Sequence, residues 1–213
     1  MTPAPAATLA PPLPIPWVCY AVLGGSVGVF GIDALLTQGQ LKSALLLYGP
    51  AVVAGQWWRP FTTLFVHGNL IHLVFNMMAV WSLGRDVERS IGSFRFMIAS
   101  LVGAMGSAFA VLVWNFDQPT VGASGMILAW AGALLPIVNQ SARRQLGIWL
   151  AQVALISLLP MVSGAGHVGG FLFGLPCGWL MRRPRALFQT VAPILVFMAA
   201  TLLYLVGSGR LKI

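Results

Sequence analysis

Apolar residues run along this chain in long blocks, broken by short polar or glycine- and proline-rich stretches rather than by a regular polar face. Seven blocks stand out, near residues 17–36, 67–83, 94–114, 122–138, 146–161, 167–181 and 187–206. Apolar blocks of this kind, nearly free of charge, predict helices buried in a bilayer. Several fall short of the roughly 20 residues that a full span needs. A short span is workable where its ends are buried by protein or line a water-filled cavity, so the pattern points to a cavity inside a helical bundle.

Composition strengthens this reading. Of 213 residues, 58% are hydrophobic and 8% charged, and the mean hydropathy is +0.87. A soluble domain of this size has nowhere to hide so much apolar surface. The expected fold is an all-α polytopic membrane protein, with the lipid bilayer as its first partner. The net charge of +8 does not imply nucleic acid, because no basic cluster with interleaved aromatics occurs. It fits basic residues held on one side of a membrane. With the N-terminus inside, Arg85, Arg89, Arg95, Arg143, Arg144, Arg182, Arg183 and Arg185 fall in inner loops, against Lys42, Arg59, Arg210 and Lys212 outside. Eight against four places the N-terminus in the cytoplasm and the C-terminus outside. Ser124, His67 and His167 then arrive at the outer ends of their helices.

Residues 1–16 are rich in Pro and Ala and carry no Lys or Arg, which predicts a disordered tail rather than a signal or transit peptide. Cys19 and Cys177 lie inside apolar blocks and read as small core residues. The first loop, residues 37–66, is too long for a simple connection and predicts structure of its own. Its Trp57-Trp58-Arg59-Pro60 also reads as an anchor at headgroup level. The last block follows Arg182-Arg183-Pro184-Arg185 and carries no Asp, Glu, Lys, Arg or His, as a supporting span would.

Ionisable side chains inside a membrane are costly and mark function. There are three histidines and four carboxylates (Asp33, Asp86, Glu88, Asp117) in the whole chain. His72 and Asn76 are four apart and share a helical face. His67 and His72 are five apart, about 140° round a helix, which suits no metal. Without HExxH, a metal hydrolase is not expected. No metal or cofactor is called for. An aspartyl mechanism lacks two carboxylates at matching depth in separate spans.

Gly122-Ala123-Ser124-Gly125 opens the fourth block, placing a hydroxyl at the first turn of a buried helix. The sixth block repeats glycine every fourth residue, Gly170, Gly174 and Gly178, on the face that carries His167. Such a stripe admits another helix closely. The fourth block offers Gly125, Ala129 and Gly132 in return. If the two faces meet, His167 is delivered to Ser124. Each feature alone has a plainer meaning: small residues for packing, His167 as a structural group, His72 with Asn76 as interhelical glue.

Together these residues resemble the rhomboid intramembrane serine proteases. The signs are Trp58-Arg59 in the first loop, His67-x4-His72-Leu-x-Phe-Asn76 in the second block and Gly84-x3-Glu88-x3-Gly92 after it. Gly122-x-Ser124-Gly125 and His167-x2-Gly170-x3-Gly174 complete the set. The resemblance implies a six-helix catalytic core over residues 17–183, with residues 184–213 as an additional C-terminal transmembrane helix, seven spans in all. It implies Ser124 as nucleophile, His167 as general base and His72 with Asn76 stabilising the oxyanion. His67, Gly122, Gly125, Gly170 and Gly174 support the site. Rhomboids often carry a tyrosine four residues after the serine, its ring stacked on the histidine. Leu128 stands there, offering packing in place of stacking. By the resemblance the substrates are single-span membrane proteins, met in a bacterial inner membrane, and the fifth span and the Ser163–Gly166 loop are the moving parts. A catalytically inactive relative that binds membrane clients is the alternative; such relatives tend to lack the serine or the histidine. A transporter would show inverted repeats or paired broken helices, and neither is visible.

Overall fold

The computed structural model describes residues 14–159 and 161–210. Most of the expected tail, residues 1–13, lies outside them. The described residues are helical with irregular connections, and each of the seven apolar blocks contains a helix. We label these α1 (Trp17–Ile32), α2 (Leu70–Ala79), α3 (Ser93–Trp114), α4 (Ser124–Leu134), α5 (Gln140–Ile156), α6 (Gly164–Met181) and α7 (Arg185–Gly207). A π-turn extends α1 to Thr37, and another joins α2 to a helix over Arg85–Ile91. Trp17–Thr37, Ser93–Trp114 and Arg185–Gly207 are each long and apolar enough to cross a bilayer unaided.

The centre is α4, whose residues from Gly125 to Ala133 are all buried. Its 11 residues make a helix about 16 Å long, roughly half the hydrocarbon thickness, so at least one end lies inside the membrane. The expected block to Val138 is shortened: α4 stops at Leu134, and residues 135–138 fold into turns around Pro136. Proline there has no N–H to continue the ladder and clashes with the carbonyl one turn back.

Small residues decide how α4 meets α6. A Cβ on Gly170 would land on the Gly125 carbonyl, one on Gly174 on the Ala129 carbonyl, and one on Gly178 on the Ala133 carbonyl. The two backbones thus touch at three successive turns, a register available only where side chains are absent. The expected partner Gly132 also faces α6, against the Phe171 carbonyl. Gly169 turns the neighbouring face of α6 onto Gly106 and Ala110 of α3. Across α4, Trp130 is fully buried; its indole N–H donates to Ser100 Oγ of α3 at 2.8 Å, and its ring packs on Phe96.

The first loop has the structure of its own that its length predicts: short helices at Gln40–Leu45, Gly49–Val53 and Arg59–Thr62, and a bridge between Leu47 and Thr120. Arg59 corrects the anchor reading. Its side chain is buried and donates to the Ser43 and Leu46 carbonyls at 2.9 and 2.7 Å and to Gln56 Oε1 at 2.7 Å. A guanidinium carries five donors, and here they tie the loop together rather than reach for headgroups. Trp58 alone remains outward, 49% exposed. Buried Glu88 works in the same way, accepting from the N–H groups of Val18 and Cys19 at 3.0 and 2.9 Å. Pro16 before α1 offers no side-chain cap, so a distant carboxylate satisfies that helix end. Cys19 and Cys177 are free and buried. The last helix, α7, packs Phe188, Ala192, Ala199 and Leu203 into the core shared with α3.

Candidate active site

Side-chain caps fix where three of the helices around the site begin. Asn69 accepts from the His72 N–H at 2.9 Å and starts α2; Asn139 accepts from Ala142 N–H at 2.9 Å and starts α5. Ser163 accepts from Gly166 N–H at 3.2 Å and starts α6. Capping by Asn and Ser satisfies first-turn donors that lack a partner within the helix. Two expectations change as a result. His67 lies outside the second helix, so its angle to His72 is not a helical one. The Ser163–Gly166 stretch is the cap and first turn of α6 rather than a loop.

Ser124 stands at the first position of α4 and His167 in the first turn of α6. Close packing of the two helices brings His167 Nε2 to 2.8 Å from Ser124 Oγ. Both side chains are half-buried, held by the bundle yet open to a small molecule. Gly125, one residue after the serine, meets α6 at Gly166 and Gly170, which flank the histidine. Leu128 is buried one turn into α4.

His72 and Asn76 approach from α2. Asn76 is buried and donates through Nδ2 to the His72 carbonyl at 3.0 Å, which leaves its second N–H free of that bond. The His72 ring lies against Gly122: a Cβ there would come 2.8 Å from Nε2. Gly122 also has φ +119°, a conformation that side chains disfavour. It is therefore needed twice, for the turn into α4 and for the space that His72 fills. Its N–H donates to the Thr63 carbonyl at 3.1 Å, tying the segment before Ser124 to the first loop. His67 is 2% exposed and packs edge-on to His72, ring centroids 5.2 Å apart. It backs the wall without reaching Ser124.

Two polar groups that the sequence did not single out complete the surroundings. Ser107 of α3 sits between Gly125 and Gly166, its Oγ 3.0 Å from where a Gly166 Cβ would be. Ser157, just past the end of α5, places Oγ 2.6 Å from His167 Nδ1. Neither belongs to a motif, and no spacing rule connects a helix-end serine to a histidine ten residues on.

A hydroxyl at a helix N-terminus, an imidazole on that hydroxyl and further N–H donors alongside form an arrangement able to carry out acyl transfer. Comparison with known proteins points the same way. Residues 54–184 match the family model described as Rhomboid domain. Rhomboid protease GluP of Bacillus subtilis is 32% identical over 171 residues, covering 76% of this chain and 32% of that protein. Rhomboid protease AarA of Providencia stuartii is 26% identical, over 62% of this chain and 60% of its own length. RHOMBOID-like protein 6, mitochondrial, of Arabidopsis thaliana is 30% identical, over 66% and 48%. The chain thus spans 32 to 60% of the length of these curated relatives. With a family model over more than half its length and a helical bundle of apolar helices, this chain is an integral membrane protein of the rhomboid family.

Proposed function

We propose that the chain is an intramembrane serine endopeptidase, hydrolysing peptide bonds in or near the transmembrane segments of single-span membrane proteins. Ser124 is the nucleophile and His167 the general base. The observation that carries this reading is the 2.8 Å contact between Nε2 and Oγ. As Oγ adds to the scissile carbonyl carbon, its proton passes to Nε2 and the carbonyl π-electrons move onto oxygen. The imidazolium returns the proton to the amide nitrogen as the C–N bond breaks, leaving an acyl group on Ser124. Water then adds to that ester by the same proton path and releases the acid.

The oxyanion needs donors aimed at one point. The first-turn N–H groups of α4 have no carbonyl one turn earlier to bond, and they favour negative charge there. His72 Nε2 and the second amide N–H of Asn76 supply side-chain donors from α2. Removal of one such donor lowers kcat by ~10²–10³. Gly122 keeps the space into which His72 reaches. Gly125, Gly170 and Gly174 hold α4 and α6 at the distance that the dyad requires.

The substrate must come from the lipid side and unwind locally to offer its bond. α5 exposes Ile148 55%, Leu155 68% and Ile156 52% and ends at Ser157 beside His167; in this reading it is the side of entry. Residues 17–183 form the catalytic core with α7 added as a seventh span. The N-terminus is cytoplasmic, the C-terminus outside, and the site opens outward, in a bacterial inner membrane. The basic residues of the inner loops support that orientation.

The test is covalent labelling in detergent with a fluorophosphonate. Wild type is expected to label and Ser124→Ala to remain unlabelled, while His167→Ala folds yet does not cleave a single-span substrate. Labelling that persists in Ser124→Ala moves the nucleophile elsewhere. An intact wild type that neither labels nor cleaves turns the reading to a client-binding membrane protein.

A further inference from the structure

We propose that Ser157 is a positioning residue for this dyad, holding His167 in the one tautomer that can act as a base. This rests on the protease reading above. Its Oγ is 2.6 Å from His167 Nδ1 and 2.7 Å from the carbonyl of Val153, one turn back along α5. The far nitrogen of the same ring, Nε2, is 2.8 Å from Ser124 Oγ. Three short contacts therefore share three protons: one from each hydroxyl and one from the neutral imidazole.

Only one arrangement gives every contact a proton. The Val153 carbonyl has none to offer, so the Ser157 hydroxyl donates to it and accepts from Nδ1–H. Nε2 is then unprotonated and accepts from Ser124. In the other tautomer Ser157 must donate to Nδ1, its lone pairs face the Val153 carbonyl at 2.7 Å, and Nε2–H points at the nucleophile. That form cannot take the serine proton. Setting the tautomer through the second ring nitrogen is the task a carboxylate performs in the Ser-His-Asp arrangement; here a neutral hydroxyl, itself anchored to a helix carbonyl, does it.

The device has a particular place in the fold. Ser157 belongs to the end of α5, whose helix buries Leu146 alone. Val153 and Ser157 are its two partly covered positions nearest the site, while Leu155, Ile156 and Leu158 between and beside them are exposed. The hydroxyl thus joins the least embedded helix to the catalytic imidazole.

Ser157→Ala and Ser157→Thr, compared with wild type and Ser124→Ala, test this on one single-span substrate in proteoliposomes. Ser157→Ala is expected to lower kcat about tenfold, the worth of one neutral hydrogen bond, with KM and melting temperature unchanged. Ser157→Thr keeps the hydroxyl and the bond to the carbonyl one turn back, and is expected within about twofold of wild-type kcat. Wild-type kcat in Ser157→Ala, or equal losses in Ala and Thr, overturns the assignment. Turnover by Ser124→Ala overturns the dyad itself, a different and separable failure. Nitrogen-15 NMR of labelled histidine gives a readout independent of turnover: Nδ1 protonated in wild-type His167 supports the assignment, Nε2 protonated refutes it.

Discussion

Gly170 and Gly147 both lie well inside helices, yet they occupy opposite worlds. A Cβ at Gly170 would strike the backbone of Gly125, whereas one at Gly147 would meet nothing within 4 Å. The contrast holds for the whole of their helices. In α6, Gly166, Gly169, Gly170, Gly174, Cys177 and Gly178 are buried against α3 and α4. In α5 only Leu146 is buried. One helix is fixed by backbone contact, the other is loosely held and turned toward lipid. In the proposed protease, catalysis requires the first kind of order, since Ser124 and His167 lie 43 residues apart and meet only if two helices keep a fixed register. In the same proposal, access for another membrane segment requires the second kind. The molecule has both because glycine is placed where backbones meet and bulky aliphatics where lipid does.

The same substitution at the two sites should expose the difference. Gly170→Ala forces a methyl onto a carbonyl of α4, and the flanking contacts at Gly174 and Gly178 prevent the helices from sliding apart. A loss of about 3 kcal/mol or more is expected, together with loss of labelling, because overpacking against backbone cannot be relieved by a rotamer change. Unfolding in detergent measures it, and a wild-type melting temperature would show that α6 is not clamped.

A smaller effect is expected from Ser100→Ala, on the far side of α4. It deprives the buried Trp130 indole of the 2.8 Å acceptor without altering the helix register. An unpartnered buried donor costs about 1–3 kcal/mol. Stability should fall by that amount while probe labelling per folded molecule stays near wild type. If labelling falls in step with Gly170→Ala, the core cannot be divided into a clamp and a support.

The smallest effect belongs to α5. Gly147→Ala adds a methyl in open space and removes backbone freedom, so stability should stay level or rise by about 0.5–1 kcal/mol. A drop larger than about 1 kcal/mol, read by the same unfolding assay, would mean that α5 is packed far more tightly than its exposure indicates.

Much of the arrangement could be read along the chain. Helix positions follow from apolar blocks, and the face of α6 that meets α4 follows from glycine at every fourth position, because helical periodicity is local. The two small-residue faces were legible for that reason, whereas the register that sets Gly170 on Gly125 came only with packing. Pro136, which ends α4 early, lay inside an apolar run that hydropathy alone continues to Val138. Nothing in the sequence told which backbone groups Arg59 and Glu88 would satisfy, since an orphan carbonyl or N–H has no signature in side-chain sequence.

Sequence by itself determined that the chain is a bundle of membrane helices and which few polar side chains it could not place in lipid without cause. Tertiary structure alone decided their partners: that His67 leans on His72 outside any helix, that Arg59 ties the first loop, and that Ser157 meets His167. Hydrophobic and small-residue patterns repeat with the helix and survive in one dimension. Hydrogen bonds between distant segments depend on where helices begin, how they are rotated and how closely they approach, and those quantities exist only once the bundle has packed.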